Sequence, residues 1–120
     1  MTLRSLQFAV LLAFLATTAG IERLEAASFD CRQARYPDEI AICNNPGLSE
    51  LDTEMGALWF SYRSFPFMMG ASGARQDEAR QFLSDRRQCG ANVACLRDIY
   101  RDRIDELKDG IQWATKNYAR

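Results

Sequence analysis

The sequence predicts an all-α fold, a small disulfide-stapled bundle of about four helices. Three observations carry this. Apolar residues recur at steps of three and four along two long stretches, the spacing of one helix face. No stretch alternates apolar and polar residues with the period of two that marks a half-buried strand. The chain has four cysteines, an even number, which allows two disulfides. At 120 residues it has the length of one domain.

Residues 1–26 are expected to stand apart from that domain. Arg4 gives a positive start, and an uncharged run from Ser5 to Ile21 follows, with its apolar centre at Phe8 to Ala16. Small residues then offer cleavage points after Ala19 or Ala26. This is the pattern of a secretory signal peptide. An uncleaved anchor is the alternative. The run, broken by Gln7, Thr17 and Thr18, is marginal for a hydrocarbon core about 30 Å thick. The residues before Cys31 are Ser28, Phe29 and Asp30, which do not form a lipid-attachment motif. The domain is expected to comprise residues 27–120, with no membrane span in the mature form. Cleavage would remove Arg4, Arg23, Glu22 and Glu25, so the net charge stays at −1.

A short first helix is expected from Pro37 to about Cys43. Pro37 suits the first helical position, and Asp38 and Glu39 favour the positive end of the helix dipole. Ile40 and Ile42 supply apolar surface. A second helix should start at Pro46 with Asn45 as N-cap. Leu48, Leu51, Met55, Leu58 and Tyr62 lie on one face, Trp59 widens it, and Gly56 permits a close helix–helix approach.

The segment Ser64 to Gly73 is expected to be a loop, because Pro66, Gly70 and Gly73 interrupt the pattern. It joins two helices expected to be antiparallel neighbours. Phe65, Phe67, Met68 and Met69 make it unusually apolar. Two readings stay open: these side chains fold back over the core, or they form an adaptable contact surface for a partner.

A third helix is expected from about Ala74 to Cys89, with Gly90 ending it. Phe82 and Leu83 are its apolar anchors, and Ala79 with the stems of Arg80 and Arg86 should complete the stripe. A fourth helix follows, with Asn92 as N-cap and Gly110 near its end. Its apolar face comprises Cys95, Leu96, Ile99, Tyr100, Ile104, Leu107 and Ile111. Trp113 and Tyr118 belong to a final extension packed back on the bundle. Trp59, Phe82 and Tyr100 are expected to share one aromatic cluster.

Four cysteines allow three pairings. Local geometry favours neighbours, Cys31 with Cys43 and Cys89 with Cys95, because each pair flanks one helix or one turn. A four-thiolate zinc site is the rival, but the usual Cys-x(2–4)-Cys spacing is missing. A redox role would want Cys-x-x-Cys, which is also missing. Structural disulfides imply an oxidising compartment, so the protein is expected to be periplasmic or secreted.

Composition excludes much chemistry. Histidine is absent, which removes Ser-His-Asp and Cys-His catalysis and His-ligated metals. Fifteen Lys and Arg against 16 Asp and Glu give no basic excess, so no nucleic-acid partner is expected. The charge-rich stretch Arg97 to Arg103 mixes signs and reads as a solvated helix face. A glycosidase needs two carboxylates in a sugar-sized cleft, for which four short helices leave little room. The chain is therefore expected not to be an enzyme and to use no cofactor.

The string FDC…P-x-E-x-x-IC-x-x-P-x-L-x-x-LD-x-E-x-x-x-LW, followed by FL-x-x-R-x-x-CG…CL-x-x-x-Y-x-x-R-I-x-x-L, resembles the LprI-like lysozyme-inhibitor family from Phe29 to Leu107. The matching positions include Cys31, Cys43, Leu51, Asp52, Cys89, Cys95, Tyr100 and Arg103. Trp59 stands where the family often has Tyr, and Phe82 where it often has Trp. The Phe/Met segment between the second and third helices departs from the pattern. The resemblance implies an exported, helical, cysteine-bridged protein that binds a lysozyme-type glycosidase or another envelope protein. The expected function is muramidase inhibition by cleft occlusion; the alternative is a non-inhibitory cell-envelope interaction module.

Candidate partner-binding residues are Phe65, Phe67, Met68, Met69, Arg86 and Arg103. The arginines have two readings. They contact a partner's acidic cleft, or they pair with Asp52 across the bundle as carboxylate–guanidinium contacts. The second is favoured, because a lone charge near an apolar face would be costly.

Overall fold

A computed structural model describes residues 27–118. The expected signal peptide lies outside the described residues. A 3-10 turn at Cys31–Gln33 precedes four helices: α1 (Pro37–Asn44), α2 (Pro46–Arg63), α3 (Met69–Cys89) and α4 (Val93–Tyr118). The fold is all-α, with two disulfide bonds.

The local signals act largely as the residue types dictate. Glu39 Oε2 accepts the backbone N–H groups of Arg35 and Tyr36 at 2.9 and 3.2 Å, closing the start of α1. The Asn45 side chain caps α2 through the Leu48 N–H at 3.1 Å. Ser49 Oγ donates to the Ile42 carbonyl at 2.7 Å, which ties the end of α1 to the start of α2. Gly90, at φ +55°, ends α3 in a conformation that a Cβ would strain. Asn92 caps α4 through the Cys95 N–H at 3.0 Å.

Disulfides join Cys31 to Cys43 and Cys89 to Cys95, with Cα atoms 5.8 and 5.6 Å apart. No cysteine remains to ligate zinc. By the chain-entropy model the two closures contribute about 2.9 and 2.4 kcal/mol. Cys31 lies in the 3-10 turn, not in an extended lead.

Helix α4 is the axis of the bundle. It packs most extensively on α2 and also on α3, while α1 packs on α2 and α3. One core cluster joins Ile42, Leu48, Phe82, Leu96 and Tyr100; a second joins Tyr62, Leu107 and Ala114. The Phe82 and Tyr100 rings meet edge to face at 5.3 Å. Trp59 packs on the second cluster, so the expected trio does not form. On α3, Leu83 is exposed and Arg80 pairs on the surface with Asp77, leaving Phe82 and Arg86 as the buried residues of that helix. Ile40 is likewise exposed, and only Ile42 of that pair enters the core.

Four further expectations are corrected. Helix α3 begins at Met69, so the loop is confined to residues 64–68. Gly70 and Gly73 lower helix propensity without breaking the helix, and Arg75 in the next turn packs its guanidinium against the Tyr62 and Phe67 rings. Helix α4 runs through Gly110 to Tyr118, because Leu107, Ile111, Ala114 and Tyr118 continue the stripe at steps of four, three and four. Helix α3 packs on α4 and α1 instead of lying along α2. Close approach is bought at Gly110, where a Cβ would stand 2.8 Å from the Tyr62 ring. At Gly56 the close neighbour is Ser28 of the N-terminal lead, not a helix.

Candidate functional site

Two constellations bring charged and aromatic residues together. The first is interior. Asp52 on α2 is fully buried. Its Oδ1 accepts the Tyr100 hydroxyl at 2.6 Å, and its Oδ2 accepts the Ser28 backbone N–H at 2.6 Å. Arg86 Nε donates to Asp38 Oδ2 at 2.8 Å, with Glu39 at 3.8 Å and Asp52 at 4.0 Å. Arg86 thus serves α1 and α2 from α3, and the buried Asp38 and Asp52 with the partly exposed Glu39 surround a cation that is only 8% exposed. Desolvation alone would lower the Arg86 pKa, but the adjoining Tyr100 and Asp38 outweigh it and hold the value above the ordinary one. Burial, reinforced by the Asp52 carboxylate, pushes the Tyr100 hydroxyl far above the usual tyrosine range. The Glu39 carboxyl is lowered chiefly by the Arg35 N–H it accepts. With Asp52 and Tyr100 buried, this network ties α1, α2, α3 and α4 together and fixes their register.

Arg103 is also buried. Its Nη1 reaches Glu106 at 3.1 Å and Glu78 at 3.8 Å, and its guanidinium lies 6.0 Å from the Trp59 ring centroid. The expected pairing with Asp52 is therefore made weakly by Arg86 and not by Arg103. Asp38, the principal partner of Arg86, is the residue that sequence reasoning missed. Its only local signal was a place in the first turn of α1, and its partner lies 48 positions away.

The second constellation is the corner between α2 and α3. It splits the four apolar candidates into two pairs. Phe65 and Phe67 turn inward on the second core cluster. The Phe67 ring meets Tyr62 at 5.3 Å and Tyr118 at 5.5 Å, both edge to face. Met68 and Met69 project outward, 80% and 92% exposed. A groove of about 630 Å³ opens at this corner. Trp59, Phe60, Arg63 and Ser64 line it from the α2 side, and Ser72, Arg75 and Gln76 from α3, with Phe67 between. Phe60 is exposed and carries the Arg63 guanidinium 5.2 Å from its centroid. Arg75 lies 4.6 Å from the Tyr62 centroid and 4.3 Å from that of Phe67. Arg63, Arg75 and Phe60 were not singled out from the sequence. Phe60 does carry a signal: it is an aromatic off the Leu58–Tyr62 stripe.

Among the described residues, no group of Cys, Asp or Glu is placed to hold a metal ion. No described helix is long and apolar enough to cross a membrane. No family model matches the chain, and no curated protein or solved structure matches it. What is shown is a four-helix domain closed by two disulfides.

Proposed function

We propose that the chain is an exported protein-binding domain that inhibits lysozyme-type muramidases by occluding their cleft, with the α2–α3 corner as the contact surface. The observation that carries this reading is the pairing of an anchored base with an exposed tip. Phe65 and Phe67 tie the corner to the core, while Met68 and Met69 stand in solvent. Unbranched methionine side chains adapt to a partner's surface, and a held backbone lowers the ordering cost of binding. The leader-like residues 1–26 and the two disulfides support an oxidising extracytoplasmic setting. The LprI-like motif from Phe29 to Leu107 supports the choice of a muramidase as partner. On this reading the protein acts by steric exclusion and is not itself an enzyme.

Titration of the protein into peptidoglycan-lysis assays with several lysozymes tests the proposal. Saturable slowing of lysis by at least one of them is expected. A second reading, a non-inhibitory envelope interaction module, draws on the net charge of −1, which gives little long-range attraction to a basic lysozyme. Unchanged lysis throughout the titration would favour it.

A further inference from the structure

We propose that the groove between the end of α2 and the start of α3 receives a carboxylate-bearing segment of an acidic, partly apolar peptide, with Arg63 and Arg75 as its anion contacts. The proposal rests on the protein-binding reading and names the chemistry of the partner. Arg63 and Arg75 are the charged residues that line the groove, and both are cations. Neither forms an ion pair with a described residue, whereas Arg80, Arg86 and Arg103 all do. The groove is therefore positive and uncompensated, which an acidic segment complements.

The geometry of Arg75 narrows the choice. Its guanidinium carbon lies 4.6 and 4.3 Å from the Tyr62 and Phe67 ring centroids, which holds the side chain in place at the groove wall. A guanidinium so held can pair with a carboxylate in the bidentate arrangement that arginine favours. Arg75 Nε is buried without a hydrogen-bond partner, so a carboxylate would meet this guanidinium through its Nη groups. Arg63, laid over Phe60, is also pre-ordered, which lowers the entropy lost on binding. Gln76 and Ser72 on the opposite wall can hydrogen-bond a peptide backbone. The exposed Phe60 and its neighbour Trp59 line the groove and offer apolar cover that a small inorganic anion would leave unused. A concave groove suits a chain segment better than the plane of a membrane.

Titration of the purified protein with acetyl-Glu-Phe-Glu-amide and acetyl-Gln-Phe-Gln-amide, followed by tryptophan fluorescence, tests this. The glutamate peptide should bind saturably and less tightly as salt rises, and the glutamine peptide should bind far more weakly. Arg63→Gln should weaken binding by about tenfold or more without moving the melting temperature, since it removes a charged hydrogen-bonding partner from an exposed site. Arg75→Lys keeps the charge but loses the planar edge, and should weaken binding as well. Equal affinity for the two peptides, or unchanged affinity in Arg63→Gln, would overturn the proposal. Saturation by polygalacturonate or by phosphatidylglycerol vesicles without peptide binding would overturn the choice of a peptide. Absence of peptide binding alongside intact lysozyme inhibition would remove the groove and leave the inhibitory reading standing. Peptide binding without lysozyme inhibition would support the groove and contradict the muramidase partner.

Discussion

The Tyr100 hydroxyl donates to Asp52 Oδ1 at 2.6 Å, joining α4 to α2 between two side chains that are both 0% exposed. The bond shares its carboxylate with the Ser28 N–H, so one buried anion holds two helices and the N-terminal lead. Removing a partner from such a group leaves an acceptor that water cannot reach.

Tyr100→Phe should therefore destabilise the fold by about 1–3 kcal/mol, read as a lower urea midpoint with an unchanged slope. A change below about 0.5 kcal/mol would mean that the hydroxyl contributes nothing net, as surface substitutions commonly do.

The same residue sets the alkaline limb of stability. The folded-state Tyr100 pKa is raised, so between the unfolded value near 10 and its own higher value the unfolded chain binds fewer protons. Stability is complete below pH ~10 and should fall as pH rises, by up to about 1.4 kcal/mol per unit for this group. Tyr62, raised mainly by burial, acts in the same direction. Glu39 has the opposite sign: its folded value is lowered, so its contribution is present above the ordinary carboxylate range and is lost as pH falls. Urea melts across pH, repeated with Tyr100→Phe, should show a shallower alkaline slope in the variant.

Gly110 and Gly73 should respond to alanine with opposite signs. Both are helical, and Ala has the higher helix propensity by about 1 kcal/mol. At Gly73 a Cβ meets nothing within 4 Å, so Gly73→Ala should stabilise by up to that amount. At Gly110 the Cβ would stand 2.8 Å from the Tyr62 ring, which is held in the second core cluster. Overpacking of about 1–3 kcal/mol should outweigh the propensity gain, and thermal melting of the two variants checks the contrast.

These positions also show what the chain made legible. The α2 stripe from Leu48 to Tyr62, the Asn45 and Asn92 caps and the two neighbouring disulfides are local features, and spacing revealed them. Gly110 and the Gly70/Gly73 pair were misread as boundaries, because propensity carries no information about the ring or guanidinium packed beside a turn. Asp38 and Arg86 meet across 48 positions, and one-dimensional periodicity cannot assign such a pair. At the candidate site, the Phe/Met composition marked the corner. The division into inward phenylalanines and outward methionines, and the recruitment of Arg63 and Arg75, depend on where α3 begins.

That division predicts separable effects. Phe67→Ser removes a ring packed on Tyr62 and Tyr118 and should cost about 2–4 kcal/mol, somewhat less than loss of a fully buried ring because Phe67 is half-buried. Met68→Ser with Met69→Ser should not lower the melting temperature, since both side chains stand in solvent and a serine at the N-cap of α3 can only support that helix. A clear loss of stability in the methionine pair would show that those residues cover the core.

The most direct measurement is peptidoglycan lysis by a lysozyme titrated with the unaltered protein and with the Met68→Ser, Met69→Ser variant, both shown to be folded at the assay temperature. The account predicts that the unaltered protein slows lysis to a saturating limit and that the variant needs at least about tenfold more protein to do so, the loss expected when a contact worth about 1.4 kcal/mol is removed. Lysis that proceeds at full rate whatever the amount of protein added, or equal inhibition by the two proteins, would contradict it.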